Sequence, residues 1–163
     1  MTFSLMPHQI EDAKFLASRS FAGCFNDMGS GKTRTALEAC RLVEARRVII
    51  VAPPIALPMW RREAEAHLGL RAQIVRTGKE PFDGSAQVYI ISYAIATKRA
   101  DDLRGLLADV LIMDEAHALK NVSAKRTKAM LGKGGLCSYV SRTWSLTGTP
   151  ITKWADDLFP FLC

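Results

Sequence analysis

Gly29-Ser30-Gly31-Lys32-Thr33 stands between a short apolar run at 21–25 and a stretch of helical period at 32–45. Strand, glycine turn and helix in that order restrict the chain to a βα unit whose turn can cradle phosphate oxygens. Gly29 and Gly31 allow close backbone approach, Lys32 supplies a cation for β and γ phosphates, and the Thr33 hydroxyl can ligate Mg²⁺. Met28, Ser30 and Arg34 complete the candidate cofactor-binding set. The strict phosphate-loop pattern wants glycine six residues ahead of the lysine, where Asn26 stands. Asparagine tolerates left-handed backbone angles, so the turn remains compatible with it.

The rest of the chain continues the same alternation, with no internal repeat and no low-complexity linker. A helix over about 7–20 opens with Pro7, and a continuous apolar strand at 48–52 is stopped by Pro53-Pro54. A helix over 57–68, strands at 73–75 and 88–92 around a turn region at 78–85, and a short helix at 101–108 follow. Val110-Leu111-Ile112-Met113 is the next strand, then come a helix at 124–131, a glycine turn at 132–135, a strand ending near Leu146 and a helix from Trp154. Strands alternating with helices predict an α/β fold: a mostly parallel central sheet between two helical layers. Ligands of such sheets bind at the carboxyl ends of the strands, where the glycine turn and the Asp114-Glu115 pair should meet.

Asp114-Glu115-Ala116-His117 ends the 110–113 strand. Asp114 can hold the ion that Thr33 ligates, and Glu115 can position and deprotonate an attacking water. A triphosphatase chemistry using Mg²⁺ and ATP follows from the two strings together. His117 has no second His or Cys at ligand spacing, and Glu63-Ala64-Glu65-Ala66-His67 lacks the first histidine of a metalloprotease helix.

The net charge of +6 favours polyanionic partners, with basic residues in pairs such as Arg46-Arg47, Arg61-Arg62, Lys98-Arg99 and Lys125-Arg126. Cys24, Cys40, Cys137 and Cys163 show no C-x-x-C pairing and read as buried free thiols. No run approaches the roughly 20 apolar residues of a membrane helix, and no basic leader opens the chain, so the expected location is the cytoplasm, or the nucleus in a eukaryote.

Asp114-Glu115-Ala116-His117-Ala118-Leu119-Lys120-Asn121, with Leu146-Thr147-Gly148-Thr149-Pro150-Ile151, resembles the superfamily-two helicases, and among them the Swi/Snf-type DNA translocases. In that branch the phosphate loop commonly carries two acidic residues before Met-Gly-x-Gly-Lys-Thr, which 26–33 matches except at Asn26. The resemblance implies a P-loop NTPase lobe of RecA type filling 1–163, and an ATP-dependent motor on DNA, with RNA also open. It assigns Gln9 to adenine, Pro53, Pro54, Ser92 and Tyr93 to the nucleic-acid backbone, and Thr147, Gly148 and Thr149 to coupling through His117. It also implies a second lobe carrying arginine fingers, worth about 10³ to 10⁵ in rate, which nothing in these residues supplies. Lys153 stands where the family has Asn. A non-catalytic ATP-binding and nucleic-acid-binding regulatory module is the alternative. A small-molecule kinase on the same loop would leave the Asp114–Asn121 and Thr147–Pro150 strings unexplained.

Overall fold

The computed structural model describes residues 5–27, 29–119 and 121–148. Pro7–Ala17 is α1, Phe21–Cys24 β1 and Lys32–Leu42 α2; Val48–Ala52 is β2, Leu57–Leu68 α3, Ala72–Val75 β3 and Val88–Ser92 β4. Tyr93–Lys98 forms α4, Ala100–Gly105 α5, Val110–Asp114 β5, Lys125–Leu131 α6 and Arg142–Leu146 β6. The six strands make one sheet in the order β1-β6-β5-β2-β4-β3, and every neighbouring pair is parallel. "Mostly parallel" therefore becomes wholly parallel among the described residues.

Strand side chains alternate between faces, and here both faces are covered. Val48, Ile50, Ile112 and Trp144 pack with Leu16, Leu37, Trp60 and Ala64 of α1, α2 and α3. Ile49, Val51, Leu111 and Met113 pack on the other side with Ala96, Leu103 and Met130 of α4, α5 and α6. Three layers result, and β2 and β4 have no exposed residue at all.

Helix ends differ from expectation for local reasons. α1 stops at Ala17, and α2 stops at Leu42 because Glu44 turns left-handed, φ 52°, while the Ala45 amide donates to Cys40 O at 3.0 Å. α3 has its expected bounds, with Pro58 in its first turn and Gly69 at φ 66° after its last. Sequence reading missed α4: the apolar run of β4 passes straight into it, and the break is made by Ser92, whose hydroxyl caps the Ile95 amide. The helix expected over 101–108 is α5, which starts at Ala100 and ends at Gly105. Cys24 and Cys40 are buried free thiols, Cys137 is half-buried, and Cys163 and the 154 helix lie outside the described residues.

Candidate nucleotide site

The loop between β1 and α2 turns left-handed at both glycines, with φ 82° at Gly29 and 80° at Gly31. Asn26 keeps a negative φ, so the turn forms without the left-handed residue that the strict pattern supplies. Its side-chain amide instead donates to Asp12 Oδ2 and ties the loop to α1. Lys32 Nζ donates to the carbonyls of Asn26 and Asp27, both at 2.9 Å, so the ammonium closes the loop upon itself.

Gln9 holds the loop from above. Its amide nitrogen donates to Ser30 O at 3.1 Å, its oxygen accepts from the Met6 amide at 2.9 Å, and the residue is only 6% exposed. A Cβ on Gly31 would stand 2.1 Å from that amide nitrogen, so the contact requires glycine there. Ser30 Oγ is buried with no hydrogen-bond partner among the described residues. Thr33 is half-buried in the first turn of α2, and Arg34 donates to Glu63 Oε2 at 3.1 Å, linking α2 to α3. A cleft of about 490 Å³ opens beside the loop, lined by His8, Asp12, Phe25, Asn26, Asp27 and Ser30.

Register brings the acidic pair to the same rim. Leu146 of β6 is the Cα partner of Cys24 on one side and of Asp114 on the other. Two strand spacings, about 10 Å, therefore separate the root of the phosphate loop from Asp114. Burial pushes the Asp114 carboxyl above its ordinary value, while the hydrogen bond from Trp60, the Glu115 amide and the Lys32 charge oppose the rise. Trp60 Nε1 donates to Asp114 Oδ2 at 2.8 Å and the Glu115 amide to Oδ1 at 3.0 Å. Tyr93 donates its hydroxyl to Asp114 O at 2.7 Å. Burial drives that phenol well above its usual range, the Asp114 and Glu115 charges add to the rise, and the Arg126 charge opposes it.

Glu115 adopts φ 48°, and its carboxylate meets His117. The His117 Nδ1 atom lies 3.1 Å from Glu115 Oε2 and 3.3 Å from Thr147 Oγ1. With its proton on Nδ1, the ring donates to carboxylate and hydroxyl together. Thr147 is fully buried, and its amide donates to Cys24 O at 3.2 Å, so one residue touches both the β1 end and the acidic box. Gly148 follows it; Met28 and Thr149 fall outside the described residues.

The residues assigned to a nucleic-acid backbone divide into two groups. Ala52 and Ser92 are register partners, so the ends of β2 and β4 are adjacent. Pro53 and Pro54 enter the exposed turn Pro54–Ala56, whose Ile55 is 92% exposed. Ser92 and Tyr93 are buried, with their hydroxyls engaged inside the protein. Trp60 and Tyr93 emerge as the supports of Asp114, a role that no local spacing in the sequence announces.

Phosphate and a hard divalent ion fit this set. The loop offers a left-handed glycine turn, a lysine and a buried hydroxyl without a partner among the described residues, and the rim offers a half-buried carboxylate with its orientation fixed. Among the described residues no three His, Cys, Asp or Glu side chains gather as a metal cage. Mg²⁺ characteristically takes one or two protein ligands beside substrate phosphates.

The SNF2-related domain matches residues 8–163. DNA repair and recombination protein RAD54B of Gallus gallus is 31% identical over 186 residues, covering 98% of this chain and 20% of its own length. A SWI/SNF-related regulator of chromatin, subfamily A-like protein 1, of Xenopus tropicalis is 29% identical, covering 96% and 17%. The chain thus spans about a fifth of the length of these relatives. In fold it is similar to the Sulfolobus solfataricus SWI2/SNF2 ATPase core solved in complex with dsDNA, with a TM-score of 0.82 at 22% identity, covering 99% of this chain and 36% of that one. The same core domain solved separately gives a TM-score of 0.78 at 24% identity, covering 98% and 34%.

Proposed function

From the premise that this chain belongs to the SNF2-related domain family, we propose that residues 1–163 form the ATP-binding lobe of a DNA-dependent ATPase of the helicase or translocase type. A second RecA-like lobe, in cis or in trans, completes it with arginine fingers, so the lobe alone hydrolyses ATP slowly. The observation that carries this reading is the meeting of the Lys32 loop and the Asp114-Glu115 box on either side of Leu146.

In this reading Lys32 leaves the Asn26 and Asp27 carbonyls to bind the β and γ phosphates, while the amides of the Gly29–Gly31 turn face the same oxygens. Thr33 and Asp114 would hold Mg²⁺, which neutralises phosphate charge when bound. Trp60 and the Glu115 amide keep the Asp114 carboxylate in one orientation, while Tyr93 holds the Asp114 backbone carbonyl. Glu115 orients the attacking water and accepts its proton, and His117 ties Glu115 to Thr147, so that events at the γ-phosphate reach the strand ends. The turn after β2 offers the exposed approach to the DNA backbone.

Binding of a fluorescent ATP analogue, and ATPase rate with a second lobe and duplex DNA added, test the assignment. Lys32→Ala should abolish binding, whereas Glu115→Gln should keep binding and lose turnover. Retained affinity in the Lys32 variant would overturn the loop. A turnover that no second lobe or DNA evokes would favour the regulatory module.

A further inference from the structure

Positive charge is not spread evenly along this chain. Residues 116–155 carry seven of the 22 Lys and Arg residues and none of the 16 Asp and Glu. The remainder, with 15 cations against 16 carboxylates, is one charge negative, so the whole excess resides in one quarter of the sequence. Elsewhere several arginines have a carboxylate beside them: Arg61 has Glu65, Arg62 has Glu63, Arg71 has Asp83, Arg99 has Asp102 and Arg104 has Asp101. Lys125, Arg126 and Lys128 of α6 are exposed, and none forms an ion pair among the described residues.

Folding alone gives no reason for them. Lys125 and Arg126 sit in the first turn of a helix, where the macrodipole disfavours cations, and no acidic residue stands there. Lys125 and Lys128 are one turn apart and repel. Thr127 and Met130 fix the helix: the Thr127 hydroxyl donates to Leu119 O at 3.1 Å, and Met130 is fully buried. α6 also packs against α4, which ends in exposed Lys98, and it stands close enough to the acidic box for the Arg126 charge to act on Tyr93. The result is an electrostatically frustrated cationic face beside the ligand rim.

We propose that the exposed face of α6, through Lys125, Arg126 and Lys128, is a contact surface for the phosphate backbone of duplex DNA, separate from the Pro53-Pro54 turn. It rests on the reading of the chain as a DNA motor lobe and adds where the duplex lies. Protein interfaces are depleted in lysine and anchored by aromatic residues, and α6 has the reverse composition. Single-strand grooves stack bases on aromatic rings, which α6 also lacks. Point charges without a stacking platform suit sequence-independent phosphate contact.

The test is a salt titration of the 163-residue chain against a labelled mixed-sequence duplex, from 50 to 200 mM salt. Each phosphate contact contributes about 0.9 to the slope of log affinity on log salt, so Lys125→Gln/Arg126→Gln/Lys128→Gln should lower it by about 2.7, or roughly 40-fold over that range. K128E alone should lower it by about 1 or more. Arg19→Gln/Arg46→Gln/Arg71→Gln removes the same charge at the opposite edge of the sheet, before β1, β2 and β3, and should leave the slope unchanged. Binding of a fluorescent ATP analogue must be equal in all variants. An unaltered slope in the α6 variant overturns this surface and leaves the motor reading intact, and an equal fall in both variants reduces it to bulk charge. Binding of single-stranded DNA or RNA in preference to duplex overturns the duplex assignment. Failure of the unmutated chain to bind any nucleic acid removes the DNA part of both proposals, while the Lys32 experiment still judges the nucleotide site.

Discussion

Gly31→Ala should be more damaging than Gly29→Ala, and the difference should belong to Gln9. Both glycines are left-handed, at φ 80° and 82°, so both substitutions incur the penalty of an L side chain there, about 1–2 kcal/mol. A Cβ at Gly29 meets no atom within 4 Å, whereas one at Gly31 would lie 2.1 Å from Gln9 Nε2. The Gln9 amide is the far end of a flexible side chain and can move aside, but only by giving up its 3.1 Å bond to Ser30 O inside a buried niche. That bond adds about 0.5–1.5 kcal/mol. The expected cost is therefore about 1.5–3.5 kcal/mol for Gly31→Ala against about 1–2 for Gly29→Ala. In a chain of 163 residues the larger figure lowers the melting temperature by about 3–14 °C. Urea denaturation of the ligand-free chain, with Gln9→Ala as the second arm of a double-mutant cycle, isolates the contact. In the Gln9→Ala background the Gly31→Ala cost should fall to the Gly29→Ala value. An undiminished cost there would show that Gln9 does not hold the loop.

Trp60→Phe should raise the midpoint of the Asp114 carboxyl, followed by carboxyl NMR, because it removes a hydrogen bond that favours the charged form. Trp144→Phe removes an equally buried indole that donates to Arg19 O instead and should leave that midpoint in place; identical midpoints in both variants would refute the clamp. Glu38 is held below its ordinary 4.5 chiefly by its hydrogen bond from Arg41, against the opposing effect of burial and with help from His67. A lowered folded value means that its stabilisation is present above about pH 4.5 and is lost as pH falls through the folded value. The stability gap between the native chain and Glu38→Gln should accordingly narrow on acidification, and a gap independent of pH would contradict the pairing.

The elements that sequence reading placed well are those fixed by local rules. β2 is an unbroken apolar run stopped by prolines, and α3 has proline at its start and glycine just past its end, so the expected and observed bounds agree. α4 escaped because its start depends on one serine hydroxyl, with no change in hydropathy to mark it. The same division runs through the site. In the proposed reading Gly29, Gly31 and Lys32 are neighbours in sequence because they serve one group of phosphate oxygens through one turn, and Asp114-Glu115 follows a strand to reach the rim.

Nothing local requires Trp60 to face Asp114 across 54 residues, or Tyr93 to donate to the Asp114 carbonyl across 21; sheet order decides both. β6 illustrates the point most fully. Its last residue, Leu146, is registered against Cys24 and Asp114 at once, so the next residue in the chain must emerge between the phosphate loop and the acidic box. That residue is Thr147, whose amide binds Cys24 O and whose hydroxyl lies against His117. A threonine there can sense both halves of the site only because β6 was inserted between strands that are 90 residues apart in sequence. In the proposed motor reading, coupling is thus a property of strand order first and of the Thr147-Gly148 string second. A change that shifts the register of β6 should uncouple the two halves even with every site residue intact.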